Sequence, residues 1–367
     1  MIMQEALEQA RKCTECGDCL KFCPTYKVTR QASLSPIGRL RAAVEVLEGS
    51  EVSEETVESL SSCLICTECE AVCRYGIKVS QVVLQSRRKL VERGLGPLPG
   101  QQRVIDGIQA KGNAANGDPE KRLDWLPEEF PRNESDTLLY MGCLASYAVK
   151  DAAASAYLVL KKLGFDFMIL ADEGCCGTYM YEAGAWDLAG ELFQRNVEKF
   201  RSLGVRRVVC VCPACHTCFK DFYPEVVGDT GFSVVHVAEV IGELLEKNQT
   251  PLKAVERTIT YQDPCRLSRW QGVVDQPRQV LSRCGVELRE MEKKGADAQC
   301  CGAGGGVMTV YRDLSTKVAS DLLGMAGTDS VVSSCPFCMF ALNRTAKAAE
   351  MTKRVSFFTS VLLESLP

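Results

Sequence analysis

Two pairs of adjacent cysteines, Cys175-Cys176 and Cys300-Cys301, are the residues of this sequence whose chemistry stands out first. Glycine follows each pair, at Gly177 and Gly302, and the second glycine opens a glycine-rich run. Glycine builds a core poorly, but its bare backbone can approach a group that is not protein, and thiolates are metal ligands. We therefore expect both pairs to lie against a bound cofactor.

Each pair is the centre of a set of five cysteines, because one cysteine precedes it and a Cys-x2-Cys motif follows it. The first set is Cys143, Cys175, Cys176, Cys212 and Cys215, and the second is Cys265, Cys300, Cys301, Cys335 and Cys338. Four ligands complete a tetrahedral zinc site or a simple iron–sulfur cube. Five therefore favour a cluster with more than four protein attachments, while a zinc site that uses four of the five thiolates remains the alternative.

The first eight cysteines follow a different pattern, two runs of the form Cys-x2-Cys-x2-Cys-x3-Cys. Three cysteines at this spacing hold three corners of a cubane [4Fe–4S] cluster, and the fourth usually ligates the other cluster. We predict one cubane held by Cys13, Cys16, Cys19 and Cys73, and a second held by Cys63, Cys66, Cys69 and Cys23. A pair of zinc knuckles is the alternative, but zinc sites take their cysteines as separated pairs.

The bulk composition agrees with metal ligation in a reducing compartment. The chain has 367 residues, 21 cysteines and a formal net charge of −4. A disulfide scaffold would normally be secreted and much shorter, and we find no secretory signal. No apolar stretch approaches the ~18 residues that span a bilayer, and the charge gives no general attraction to nucleic acid. We expect a cytoplasmic protein that binds no nucleic acid and reaches a membrane only through a partner subunit.

The elements that must position these cysteines are of two kinds. Up to residue 93 the pattern is helical, with helices predicted over 2–11, 36–49 and 79–93. The segment 94–136 is rich in glycine and proline, which predicts a linker that lies over another domain, with Trp125 and Phe130 as candidate anchors. From Thr137 onward strands alternate with helices, which predicts a parallel α/β sheet.

The α/β part repeats itself once. Strands predicted at 137–141, 167–170 and 205–211 correspond to strands at 258–261, 286–288 and 329–332, with equivalent cysteines 122 to 125 positions apart. We therefore predict a helical two-cluster ferredoxin domain at 1–93, the linker at 94–136, and two duplicated half-domains with mostly parallel sheets at 137–250 and 251–367. The cysteines follow the carboxyl ends of predicted strands, where open α/β sheets bind ligands.

The cysteine pattern resembles that of a known family. The two cysteine modules resemble the CCG domains of the heterodisulfide reductase catalytic subunit, most closely from Asp263 to Gly306. With the ferredoxin part in front, residues 13–338 resemble the D-type subunit, which joins a C-type ferredoxin unit to a B-type catalytic unit. Iron–sulfur subunits of glycolate oxidase, lactate-utilisation enzymes, anaerobic glycerol-3-phosphate dehydrogenase and some benzoyl-CoA reductase complexes share this layout.

The resemblance implies one noncubane [4Fe–4S] cluster in each five-cysteine set, with all ten cysteines catalytic and Gly177 and Gly302 as cofactor-binding residues. It implies reduction of the mixed disulfide of coenzyme M and coenzyme B, with electrons supplied through two cubane clusters. The implied partners are a flavoprotein or a membrane cytochrome b-type subunit. The alternative is an electron-transfer subunit of a flavin-dependent dehydrogenase, acting on glycolate, lactate or glycerol-3-phosphate, or of a benzoyl-CoA reductase-like complex. Intact Cys-x2-Cys ends favour the catalytic role.

One departure from the family concerns the substrate: Arg266 stands where histidine is common. Three cations beside cluster cysteines are candidates to hold an anionic substrate or offset cluster charge, with a solvated edge as the alternative: Arg266, Arg269 and Lys220. His216 is a candidate proton donor to a product thiolate, or an ordinary histidine. The cysteines outside the sets are predicted to be packing residues, with a spare cluster ligand as the alternative for Cys218: Cys210, Cys218 and Cys284.

Overall fold

The computed structural model describes residues 1–131 and 134–367, so residues 132 and 133 of the predicted linker lie outside the described residues. The N-terminal part is helical. Its α-helices are Met3–Arg11, Pro24–Thr29, Pro36–Glu48, Glu54–Ser61, Glu68–Ala71 and Val79–Glu92. The two cysteine runs lie mostly in the loops and short turns between these helices, which is where the chain can wrap around a bound group.

Local sequence signals set the ends of the helix Pro36–Glu48. The Ser35 hydroxyl accepts a hydrogen bond from the Gly38 N–H at 3.0 Å, and Gly49 ends the helix with a φ of +82°. A serine N-cap and a left-handed glycine satisfy backbone groups that helix ends leave unpaired. The helix packs its buried face against the first and last helices of this part, so three helices form one small core.

The segment predicted as a linker contains a helix, Pro99–Lys111, that the sequence pattern did not predict. Proline opens this helix and Gly112, with a φ of +69°, ends it. Beyond it Trp125 is buried, and its ring lies 5.8 Å from that of Tyr157 in an edge-to-face contact. Phe130 is half-buried against the same core. The segment is therefore held against the α/β part at several points.

The first α/β repeat contains a three-stranded parallel sheet, in the order β1 (Thr137–Tyr140), β2 (Arg207–Cys210) and β3 (Ser233–His236). The strand expected at 167–170 is reduced to a single bridge between Met168 and Leu138. The α-helices of this repeat are Cys143–Tyr147, Lys150–Lys162, Thr178–Glu182, Trp186–Ser202, Pro213–Thr217, Tyr223–Val227 and Val237–Asn248, with a π-helical turn at Cys218–Phe222.

The second repeat contains a four-stranded parallel sheet made of β4 (Thr258–Gln262), β5 (Glu287–Leu288), β6 (Ser330–Ser333) and β7 (Arg354–Phe357), in the order β5-β4-β6-β7. Its α-helices are Cys265–Gln271, Asp275–Arg283, Val307–Val310, Arg312–Gly324, Pro336–Ala348 and Phe358–Ser365. Both sheets are parallel, as the alternation of strand and helix predicted.

The two repeats pack on each other reciprocally. The last helix of the second repeat lies on the helix Lys150–Lys162 of the first, with a buried hydrogen bond of 2.6 Å between the Ser155 and Thr359 hydroxyls. The helix Val237–Asn248 of the first lies on the helix Asp275–Arg283 of the second. These two helix–helix contacts hold the repeats together, with the carboxyl ends of both sheets facing one another.

Candidate functional site

All ten cysteines of the two five-cysteine sets line one cavity of about 270 Å³. The cysteines reach it because each lies a few residues after the end of a strand or within a tight turn. Cys143 follows β1, Cys212 follows β2, Cys265 follows β4 and Cys335 follows β6. The two modules therefore form one site instead of two separate ones.

The ten thiols form a continuous row of side-chain contacts around this cavity. In order along the row they are Cys143, Cys175, Cys176, Cys215, Cys212, Cys335, Cys338, Cys301, Cys300 and Cys265. The contact between Cys212 and Cys335 joins the first module to the second. Hydrogen bonds from neighbouring thiols lower the pKa of Cys212 and of Cys301 below the usual range, which favours the thiolate there.

Backbone conformation and close packing both explain why glycine follows each cysteine pair. Gly177 and Gly302 have φ values of +84° and +82°, and their N–H groups point at the sulfur atoms of Cys175 and Cys300, at 3.4 and 3.5 Å. A Cβ at Gly302 would lie 2.7 Å from the Ser315 carbonyl oxygen. Left-handed backbone and close packing both exclude a larger residue. Their role as cofactor-binding residues remains a prediction.

A buried ion pair supports the cysteine loop of each module. In the first, Glu173 accepts hydrogen bonds from the Met141 and Gly142 N–H groups, at 2.9 and 2.8 Å, and pairs with Arg122. Burial raises the pKa of Glu173, and Arg122 opposes that shift. In the second module, the part-buried Arg278 pairs with the buried Asp263 at 2.6 Å, and the same carboxylate accepts a hydrogen bond of 2.9 Å from the Gly295 N–H, which ties the loop before Cys265 to that residue. Because Arg122 belongs to the linker, that segment braces the first module.

Side chains other than cysteine also line the cavity, and they are of two kinds. The apolar ones include Leu144, Phe337 and Phe340, together with three linker residues, Val104, Ala114 and Ala115. The polar ones include Arg266, Glu182, Tyr179 and Thr309. Sequence reasoning singled out Arg266 but missed the others, since small apolar residues and a lone glutamate carry no motif. The large aromatic residues Trp125 and Phe130 in the predicted linker were the available signal that this segment lies on another domain.

The eight N-terminal cysteines fall into two groups around small cavities. One is lined by Cys23, Cys63, Cys66 and Cys69, and the other by Cys13, Cys16, Cys19 and Cys73, with Cys69 also at its edge. Arg39 is buried beside the first group and donates a hydrogen bond of 3.3 Å to the Cys23 sulfur. A buried cation that contacts a ligand sulfur offsets the negative charge that a thiolate-bound cluster carries.

The second cysteine module touches the N-terminal part directly. The Cys66 and Cys300 thiols are in contact, and Arg269 donates a hydrogen bond of 2.9 Å to the Cys66 carbonyl. Gly304 packs so closely that a Cβ there would lie 2.7 Å from the Leu64 carbonyl oxygen. Arg269, a candidate substrate cation from sequence, thus joins the N-terminal part to the second module.

Arg87 ties three parts of the chain together. It is 2% exposed, and its guanidinium donates five hydrogen bonds to backbone carbonyls. Three of these carbonyls lie in residues 60–63, one is that of Glu182 in the first repeat and one is that of Gly305 in the second. Carbonyls that face a buried arginine cannot move apart without leaving its donors unpaired, so this residue fixes the N-terminal part against the cavity.

The remaining candidates lie away from the cavity wall. Cys210, Cys218 and Cys284 are fully buried and do not line the cavity; the Cys218 thiol donates a hydrogen bond to the Cys176 carbonyl at 3.2 Å. His216 is buried, which lowers its pKa to about 4, so it is neutral near pH 7. Lys220 is exposed.

The arrangement of donors bears on the kind of metal group. Among residues 1–131 and 134–367, no three histidine, cysteine or carboxylate side chains are grouped as ligands of a single ion. A tetrahedral zinc site needs thiolates that converge on one point, whereas a four-iron cluster is held from around a larger body. Soft thiolates arranged around a cavity fit the larger group.

Within the described residues, no helix is long and apolar enough to cross a membrane.

Comparison with known proteins agrees with this geometry. The pattern of a 4Fe–4S dicluster domain matches residues 9–77, and that of a cysteine-rich (CCG) domain matches residues 137–220 and 259–343. Such a combination defines a class of iron–sulfur proteins. The D-type subunit of dihydromethanophenazine:CoB–CoM heterodisulfide reductase is 34% identical in Methanosarcina mazei, over 90% of this chain and 88% of the relative. The Methanosarcina barkeri protein of that name is 31% identical, over 89% and 86%.

The chain therefore belongs to the family of D-type heterodisulfide reductase iron–sulfur proteins, and it is an iron–sulfur oxidoreductase subunit. A more distant relative is the EtfAB:quinone oxidoreductase of Syntrophomonas wolfei, 27% identical over 94% of this chain and 56% of the relative. A solved structure of a hypothetical protein from Helicobacter pylori has a TM-score of 0.58 at 13% identity, covering 100% of this chain and 77% of the other. That likeness concerns the fold alone.

Proposed function

We propose that this chain is the catalytic subunit of a redox complex that reduces a disulfide of the coenzyme M–coenzyme B type. The single observation that carries this proposal is the shared cavity, which all ten module cysteines line. Each five-cysteine set would hold one noncubane [4Fe–4S] cluster, and the N-terminal cysteines would hold two cubanes. When bound, paired clusters supply one electron each, which matches the two electrons that opening a disulfide requires.

The chain's own residues suit a buried disulfide. Leu144, Phe337 and Phe340 add apolar lining that would limit the access of water to a bound disulfide. The linker residues Ala114 and Ala115 add small apolar side chains to the cavity lining. A substrate that enters the cavity would therefore contact cysteine thiols of both modules and the apolar side chains between them.

The contacts of Cys66 supply the route for electrons. Its thiol belongs to the predicted second cubane and touches Cys300 of the second module. Arg269 and Trp270 hold the backbone here through hydrogen bonds to the Cys66 and Ile65 carbonyls, at 2.9 and 3.2 Å. Electrons from a partner subunit would reach the cavity through this junction.

A second candidate is an electron-transfer subunit of a flavin-dependent complex. The thiol row runs without a break from Cys66, through Cys300 and Cys212, to Cys143. A continuous row suits conduction through the protein as well as chemistry inside it. The similarity to EtfAB:quinone oxidoreductase supports this alternative.

Anaerobic purification separates these candidates. Four four-iron clusters give about sixteen irons and as many sulfides per chain. We expect that content together with oxidation of reduced viologen by the coenzyme M–coenzyme B disulfide. A full iron complement without disulfide-dependent oxidation would favour the electron-transfer role, and about eight irons with zinc would contradict the noncubane clusters.

A further inference from the structure

We propose that Arg266 forms an anion-binding subsite in the wall of the cavity, where it holds a sulfonate, phosphate or carboxylate end of the substrate. This inference rests on the proposed function, since it assigns a chemical class to the ligand of the same cavity. Arg266 lines the cavity, yet the residue is only 8% exposed.

The guanidinium of Arg266 is held in one orientation. Its central carbon lies 4.2 Å from the centre of the Trp270 ring and 5.7 Å from that of Phe222, and its Nη2 pairs with Glu182. Glu182 is itself fixed, because its other oxygen accepts a hydrogen bond of 3.2 Å from the Gly305 N–H. A planar cation whose position is fixed before binding loses little entropy when it recognises an oxyanion.

One donor of this side chain is unused. The Nη1 atom is buried and has no hydrogen-bond partner among the described residues. A buried unpaired donor is costly, and more so on a charged group, so it calls for a partner outside the protein. An anionic ligand in the cavity would supply the missing acceptor.

The duplication provides an internal comparison. Arg266 follows Cys265 directly, and the equivalent residue of the first module, after Cys143, is Leu144. Both side chains line the cavity. One module thus presents a cation where the other presents an aliphatic group, which suits an unsymmetrical ligand with an anionic end at the second module.

A pair of probe disulfides of similar length tests the subsite without turnover. Bis(2-sulfonatoethyl) disulfide and bis(2-hydroxyethyl) disulfide differ in their charged ends, and calorimetric titration of the iron-loaded protein without an electron donor measures binding alone. We expect the sulfonate probe to bind more tightly to the wild type. Arg266→Leu, which copies the first module, should weaken its binding about 10- to 100-fold and leave the hydroxyethyl probe within about 3-fold.

Two further variants keep the test sharp. Arg266→Leu leaves the Glu182 carboxylate unpaired, so the double variant Arg266→Gln/Glu182→Gln removes both charges together; its iron content shows that it has folded. Lys220→Leu removes an exposed cation outside the cavity wall and should bind both probes as the wild type does.

Equal binding of the two probes to the wild type would overturn the proposal, as would a sulfonate preference that survives in both Arg266 variants. If that preference survives while the midpoint potential of the cavity clusters shifts, Arg266 offsets cluster charge and is no ligand-binding residue. Oxidation of reduced viologen by the hydroxyethyl probe tests the proposed function separately from the subsite. An absence of that oxidation would count against disulfide reduction but would not change the binding result.

Discussion

Substituting Gly304 by alanine tests whether the second cysteine module must lie directly on the N-terminal part. A Cβ at this position would be 2.7 Å from the Leu64 carbonyl oxygen and 3.8 Å from its carbon. Ordinary van der Waals contact of a Cβ begins at 3.4 Å, about 0.7 Å farther away, and both contacting atoms belong to the backbone. Gly304 is outside the glycines with positive φ, so the cost is steric. Overpacking of this kind typically costs about 1–3 kcal/mol.

The measurement is thermal unfolding of the iron-loaded protein under anaerobic conditions. The unfolding entropy of about 2.1 cal/mol/K per residue makes 1 kcal/mol equal to about 1.3 °C for a chain of 367 residues. We therefore expect the melting temperature of Gly304→Ala to fall by roughly 1.3 to 4 °C. Hydrogen exchange should locate the loss, because Leu64 and its neighbours face the added methyl group. Faster exchange should therefore appear in residues 63–66 and in the glycine run.

Gly324→Ala is the matched control. Gly324 ends the helix Arg312–Gly324 in the same repeat, its φ is not positive, and nothing lies within 4 Å of an added Cβ. Alanine there should be neutral or slightly stabilising, by at most ~1 kcal/mol. If Gly304→Ala melts within about 1 °C of Gly324→Ala, with unchanged exchange at residues 63–66, close packing of the two parts is not required and the reasoning is wrong.

Three other predictions follow from the contacts. Cys300→Ala should lose about four of sixteen irons by colorimetric assay, whereas Cys284→Ala, buried outside the cavity, should lose none; equal contents would contradict the ligand sets. Arg87→Met should cost about 3–5 kcal/mol in denaturant unfolding because five carbonyls lose their donor. Arg88→Met, at a half-buried position where the arginine pairs with Glu92, should cost under about 1 kcal/mol. Trp125→Ala should cost about 3–5 kcal/mol in the same assay; an unchanged midpoint would mean that the linker is not anchored there.

Cysteine spacing predicted much of the site because ligand chemistry is local in sequence. The Cys-x2-Cys ends, the adjacent pairs and the strands before Cys143 and Cys265 could be recognised from residue type and order alone. The parallel sheets followed from strand–helix alternation. The strand expected near Met168 was too weak to do more than bridge Leu138, since its edge position leaves it one partner.

Long-range packing could not be predicted from the sequence. The helix Pro99–Lys111 has glycine and proline around it, and those residues indicated a linker more strongly than its apolar spacing indicated a helix. Nothing local shows that Cys212 meets Cys335, or that Gly304 lies on Leu64, because these pairs are far apart in the chain. Glu182 is a similar case, since its partner Arg266 lies 84 residues away.

The two modules share a fold but differ in what surrounds them, and the differences concentrate on the second. In the second module, Cys300 contacts Cys66 of the N-terminal part. The row of thiols continues from there and enters the first module at the contact between Cys335 and Cys212. Arg266 also lies in the second module, and the first has Leu144 in its place. If the N-terminal clusters supply the electrons, the second module receives them first and also presents the cation. The two ends of the cavity then differ in both respects, so the proposed disulfide substrate would bind in one preferred direction if it is unsymmetrical.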